Sequence, residues 1–137
     1  MVGARVAGFG IRPDYALVLD VTHASVPEAK DRYLPEFGSG VAVAASPITN
    51  RRLTRMVTDL CKNGNIPFTV DACPGSTGTN ANVLGVSAEG IPTALCSLPL
   101  KSMHTSAEVL SLDDARALSR VVSAFIKSKE ISEVFGR

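Results

Sequence analysis

The 137-residue, 14.4 kDa sequence has no apolar run approaching the length of a membrane span. Its longest stretches, such as Val41 to Ala45, fall far short of the roughly 20 residues that cross a bilayer. The start, Met1-Val2-Gly3-Ala4-Arg5, lacks the charged and long apolar regions of a signal peptide, so a cytoplasmic location is expected. An excess of either charge is also missing. Fourteen Lys and Arg stand against thirteen Asp and Glu, for a formal net charge of +1. No global field therefore draws the chain to nucleic acid or to an anionic membrane. Cysteines are few, and Cys61, Cys73 and Cys96 form an odd set without a CxxC pair. They read as small reduced hydrophobes rather than as a disulfide framework or zinc site. Repeats, low-complexity tracts and long linkers are absent too, and the length suits one domain over residues 1–137. With 45% hydrophobic and 20% charged residues, wholesale disorder is excluded.

Strand-like runs alternate with helix-like ones, the pattern of an α/β fold. Tyr15 to Leu19 is short and continuously apolar, as expected for a strand covered on both faces and ending at Asp20. Residues 24–40 hold Pro27, Pro35, Gly38 and Gly40 and read as a loop. Val41 to Ala45 is a second strand. From Asn50, apolar residues recur at Leu53, Met56, Val57, Leu60 and Cys61, one face of a helix that Asn63-Gly64 stops. Arg51, Arg52 and Arg55 fall on its opposite side, where a solvated face is expected. Ile66 to Ala72 reads as a strand, Pro74 to Asn80 as a turn, Ala81 to Ala88 as a short helix and Pro92 to Leu98 as another strand. The polar stretch Pro99 to Thr105 reads as a loop. Ser111 with Asp114 fits a capping box, opening a long amphipathic helix through Leu118, Val121, Val122, Phe125 and Ile126.

Several chemistries lack their essential parts. Gly75 to Gly78 follows a strand and precedes a helix, where phosphate loops sit, but it carries no lysine and matches no nucleotide fingerprint. Ser76, Ser97 and Ser102 are not in a nucleophile elbow, and only two histidines could serve as bases. Asp20 is the most informative residue, because a carboxylate ending an apolar strand stands where open α/β sheets place ligands. A capping or loop role for Asp20 is equally compatible with the pattern. His104 holds a similar place after the apolar run Thr93 to Leu98, and His23 sits three residues beyond Asp20. Carboxylate and imidazole are ligand types for a divalent metal, yet a catalytic zinc needs three protein ligands.

Longer stretches, taken in order, resemble a known family. They are Gly10 to Asp14 leading into Ala16 to Ala24, then Ser46 to Asn50, Pro74 to Ala81, Met103 to Thr105 and Leu112 to Asp114. This succession is similar to the cobalt- or zinc-dependent glutamyl and leucyl aminopeptidases that form tetrahedral dodecamers, also labelled endoglucanase-like. The resemblance implies part of an α/β/α sandwich around a mixed sheet, with two divalent metal ions activating water for attack on the first peptide bond. It implies Asp20 as a ligand of one metal and His104 as a ligand of the other. The other histidine, the bridging aspartate, the glutamate ligand and the general-base glutamate lie in the family upstream of Met1, as does an inserted β-barrel. Met1 to Gly10 resembles the helix that follows the paired glutamates.

Catalytic residues are accordingly expected outside this chain, and the substrate-binding residues are left unassigned. Gly38-Ser39-Gly40 stands where the family usually has Gly-Lys-Gly, and Gly78-Thr79-Asn80-Ala81 where it usually has Gly-Thr-Asp-Ala. The expected function is that of a metal-dependent aminopeptidase whose partner is a peptide, with weak or no metal binding and no activity in this chain alone. The alternatives are a non-catalytic truncated homologue acting as a binding or assembly module and, third, an unrelated complete enzyme. An unpaired strand edge and an uncovered apolar face are expected, favouring a homo-oligomer or a complex with a chain supplying the missing half.

Overall fold

A computed structural model of the chain describes residues 1–25 and 34–136. Residues 26–33, Glu28 included, within the loop expected over residues 24–40, lie outside them. In order, the elements are α1 (Val2–Ile11), β1 (Ala16–His23), β2 (Val41–Ala45), α2 (Arg51–Asn63), β3 (Phe68–Ala72), α3 (Ala81–Leu84), β4 (Thr93–Lys101), β5 (Val109–Leu110), α4 (Leu112–Lys127) and α5 (Lys129–Phe135). The sheet order is β1-β4-β2-β3, with β5 beside β4. β1 runs parallel to β4 and β2 parallel to β3, while β2 meets β4 antiparallel, so the sheet is mixed.

One face carries the larger core. Val41, Val43, Ala94 and Cys96 of the sheet pack against Leu53, Val57 and Cys61 of α2, Ala117, Val121 and Phe125 of α4, and Ile131 of α5. The apolar spacing of α2 thus has its expected consequence, and Asn50 caps it by accepting the Leu53 N–H at 3.0 Å. Each fully buried Leu or Val here contributes about 1.5–3 kcal/mol. A smaller cluster of Val18, Ala44, Leu95 and Ala81 occupies the opposite face beneath α3. Outside it lies α1, brought close by Gly8, where a Cβ would stand 2.8 Å from the Leu84 Cδ2. Helices on both faces make an α/β/α arrangement.

Several boundaries differ from the sequence-based expectation. β1 continues through His23, so Asp20 lies within the strand, paired with Ser97, rather than at its end. Nor is the strand covered on both faces throughout: β1 borders only β4 among the described residues, and Leu19 is 47% exposed. β4 runs on through Pro99 to Lys101 because β1 and β5 continue beside it. A proline that cannot donate is tolerated where a ladder can spare one N–H. β3 starts two residues later than expected, after Pro67, and α3 is a single turn ending at Leu84.

The capping box at Ser111 forms in half. The Ser111 hydroxyl accepts the Asp114 N–H at 3.4 Å, but the Asp114 carboxylate turns away from the helix. It accepts the Gly38 N–H at 3.0 Å and the Gly40 N–H at 2.8 Å. Gly40 has φ 94°, and a Cβ there would lie 2.1 Å from the Pro67 carbonyl oxygen. Asp114 thereby ties the entry of β2 to the start of α4, and Gly40 lets that entry pass against β3.

Candidate active site

A cleft of about 650 Å³ opens on the α3 face of the sheet. Asp20, Thr22 and His23 of β1 line one side and Asp71 of β3 another. The turn Cys73 to Thr79 and the turn bearing Met103 and His104 complete it. Alternation along β1 sends Asp20 and Thr22 to the face that also holds Val18, above the smaller core. The site therefore sits over the sheet face, not beyond the strand ends.

Asp20 is half-buried, and its Oδ1 accepts the Val21 N–H at 2.9 Å. His104 is exposed and lies in a turn just after β4, where both Ser102 (φ 55°) and His104 (φ 63°) take left-handed backbone conformations. Such angles are unfavourable for residues with a Cβ and persist where surrounding contacts over-determine them. Here the Thr105 N–H and hydroxyl both donate to the Ser102 carbonyl, at 3.2 and 2.7 Å, and the His104 N–H donates to the Glu108 Oε1 at 2.6 Å. The turn presents the imidazole to the cleft without involving a ring nitrogen in these contacts.

Opposite stands a loop of hydroxyl groups organised by Asn82. Its Oδ1 accepts both the N–H and the hydroxyl of Thr77, at 3.2 and 2.8 Å, and its Nδ2 donates to the Ser76 hydroxyl. The Thr79 hydroxyl accepts the Ala81 N–H at 3.2 Å, beginning α3. These bonds account for the glycine-rich stretch as an ordered strand-to-helix turn.

Asp71 was not singled out from the sequence. It is 8% exposed, and its Oδ2 accepts the Thr22 hydroxyl at 3.2 Å. The available signal was a carboxylate inside a run read as a strand, where an acid that becomes buried has to meet a donor or a ligand. Two further acids that could in principle take a proton, Glu36 and Glu89, are exposed and neither lines the cleft. Glu89 instead faces Arg12 at 3.9 Å. Arg51, Arg52 and Arg55 are exposed along α2, away from the cleft. Cys61 and Cys96 are buried in the larger core, where burial pushes their thiols up to about 11 and about 12.

A family model for M42 glutamyl aminopeptidase matches residues 1–121. The chain belongs to that family. A lysyl aminopeptidase of Pyrococcus furiosus is 34% identical over 125 residues, which is 91% of this chain and 36% of that protein. An aminopeptidase of the archaeon Desulfurococcus kamchatkensis superposes with TM-score 0.84 at 30% identity, over 90% of this chain and 37% of its own. A TET aminopeptidase of a Thaumarchaeota archaeon superposes with TM-score 0.88 at 28% identity, over 98% and 39%. This M42 chain thus spans little more than a third of the length of these relatives, and its mixed sheet with flanking helices is the fold of the corresponding third.

The donors in this cleft can be weighed against a divalent ion. Asp20 offers carboxylate oxygen, and His23 and His104 offer imidazole nitrogen, all suitable in kind. Among the described residues, however, no three His, Cys, Asp or Glu side chains gather into a group that could hold a metal ion. The donor types fit, and the donor number falls short of one complete shell.

Proposed function

We propose that this chain carries part of the active site of a metal-dependent aminopeptidase, within a single domain spanning residues 1–137. Asp20 would be a ligand to one of two divalent ions, zinc or cobalt, and His104 a ligand to the other. The observation that supports this reading is that Asp20 and His104, distant in sequence, line one cleft in a chain of the M42 family. A bound ion in such a site lowers the pKa of its water toward neutrality and polarises the carbonyl under attack. The chain's own contribution is to hold ligands on two rigid supports, a sheet strand and a turn locked by Thr105 and Glu108, beside a cleft able to receive a peptide.

Two acceptors serving different ions cannot bind either tightly, so the 137-residue chain alone should hold zinc or cobalt weakly and hydrolyse nothing. No described carboxylate in the cleft replaces both the missing ligands and the base that would take a proton from water. The test is elemental analysis after dialysis, with hydrolysis of leucyl- and glutamyl-anilides in added cobalt. Less than one ion per chain and no hydrolysis are expected. One or more tightly held ions, or hydrolysis abolished by His104→Ala, would show that the site is complete without further residues. Weak zinc-induced NMR shifts should centre on Asp20 and His104 and disappear in the Asp20→Ala/His104→Ala double variant.

A second reading, a non-catalytic binding or assembly module, is favoured by the uncovered apolar surface. Val2, Val6, Phe9 and Ile11 on α1 are each more than half exposed, and Val70 on the β3 edge is 46% exposed. Such surface favours association, either as a homo-oligomer in the cytoplasm or with a chain supplying further parts of the site. No helix among the described residues is long and apolar enough to cross a membrane.

A further inference from the structure

Asp71 is a nearly buried carboxylate, and among the described residues only one of its oxygens has a partner. Oδ2 accepts the Thr22 hydroxyl. Among the described residues Oδ1 has neither a hydrogen-bond donor nor a cation beside it, and it is not among the buried side-chain atoms sealed from solvent without a partner. It therefore opens into the cleft that Asp71 lines. No Lys or Arg lines that cleft among the described residues, whereas Asp20 and Asp71 both do. A nearly buried carboxylate oxygen at the wall of a cleft, with no counter-charge among the described residues, attracts a compact cation that can donate to it.

We infer that Asp71 anchors a primary ammonium group of a peptide bound in this cleft. The inference rests on reading the cleft as a peptide site but not on its metal. Thr22 is the positioning residue, fixing the carboxylate so that Oδ1 faces the ligand. The ammonium could belong to the peptide's free N-terminus or to a lysine side chain, since both present the same N–H donors.

The test is NMR titration of the 137-residue chain in EDTA at about pH 6.5, where the amino groups of the probes are protonated. Four probes separate the sources: lysinamide carries both ammonium groups, leucinamide the α-ammonium, Nα-acetyl-lysinamide the side-chain ammonium, and Nα-acetyl-leucinamide none. Lysinamide should bind about tenfold or more tightly than Nα-acetyl-leucinamide, the scale of one charge-assisted hydrogen bond. Whichever single-ammonium probe keeps the advantage identifies the group recognised. Asp71→Asn should erase the advantage, and Thr22→Val, which removes the hydroxyl that positions the carboxylate, should reduce it; amide NMR shifts away from the cleft that match wild type in both variants serve as the control for folding. The inference is overturned if the wild-type chain shows no ammonium preference or if the preference survives Asp71→Asn. Because the titration excludes metal, failure of zinc binding or hydrolysis leaves this result standing, and the reverse also holds.

Discussion

Replacing Asp114 by alanine should be among the most damaging single changes to this fold. The side chain is 1% exposed and accepts two backbone N–H groups, from Gly38 at 3.0 Å and Gly40 at 2.8 Å. A hydrogen bond to a charged group contributes about 1.5–3 kcal/mol, and a buried donor left without its acceptor costs a similar amount. The Gly40 bond is buried and should be lost at full cost, while water can partly replace the acceptor at the more exposed Gly38. A carboxylate in the first turn of α4 adds about 0.3–1 kcal/mol through the helix dipole. The sum is about 3–4 kcal/mol for Asp114→Ala. Asp114→Asn keeps one acceptor and turns an amide donor toward the second N–H, so roughly 2 kcal/mol is expected. Asp113 is the internal control: its pair with Arg116 at 2.7 Å is solvent-exposed, and Asp113→Ala, which loses that pair and the same first-turn dipole contribution, should cost no more than about 1 kcal/mol. Urea unfolding followed by circular dichroism measures all three. With a slope of about 1–3 kcal/mol/M, Asp114→Ala should lower the midpoint by about 1 M or more. If Asp114→Ala and Asp113→Ala unfold within about 1 kcal/mol of each other, the clamp between α4 and β2 contributes little and the reasoning fails.

The turn that Asp114 holds makes its own prediction: Gly40→Ala, with φ 94° and a Cβ 2.1 Å from the Pro67 carbonyl oxygen, should cost more than about 2 kcal/mol. Gly75→Ala, whose Cβ would meet nothing within 4 Å, should stay within about 1 kcal/mol of wild type in the same unfolding measurement. Stability should also fall in alkali. The folded Cys61 and Cys96 thiols are pushed up to about 11 and about 12, chiefly by burial, while an unfolded thiol ionises near 8.5. Above that value the unfolded chain binds fewer protons than the folded one. Stability from each buried thiol is thus fully present below about pH 8.5 and declines at up to about 1.4 kcal/mol per pH unit until the folded value is reached. Comparing wild type with Cys96→Ala at pH 8 and pH 10 isolates one share; an unchanged pH slope in the variant would contradict the assignment.

Much of the scaffold was legible without coordinates. The 3.6-residue spacing from Leu53 to Cys61, closed by Asn50 and Gly64, specifies α2, and the observed helix runs Arg51–Asn63 between those caps. Val41–Ala45 is a strand at its expected limits. Local rules succeed there because burial periodicity and cap chemistry agree. They fail where a neighbour decides. Nothing local in Pro99-Leu100-Lys101 marks a strand, and only the flanking β1 and β5 extend β4 that far. Asp114 carries the local signature of a capping box, yet the two N–H groups it serves come from a distant turn.

The same division holds for the candidate site. The types of residue are properties of the sequence: one carboxylate in an apolar strand, one histidine after another strand, and an order of short motifs that identifies the M42 family. That Asp20 points over the sheet face depends on β1 continuing to His23. That Asp71 belongs with it depends on the mixed strand order, which carries a residue of β3 to the cleft beside Thr22. Alternation and spacing are local and survive in one dimension. Which distant carboxylate meets which hydroxyl is set by strand pairing and sheet curvature, and those exist only once the chain has packed.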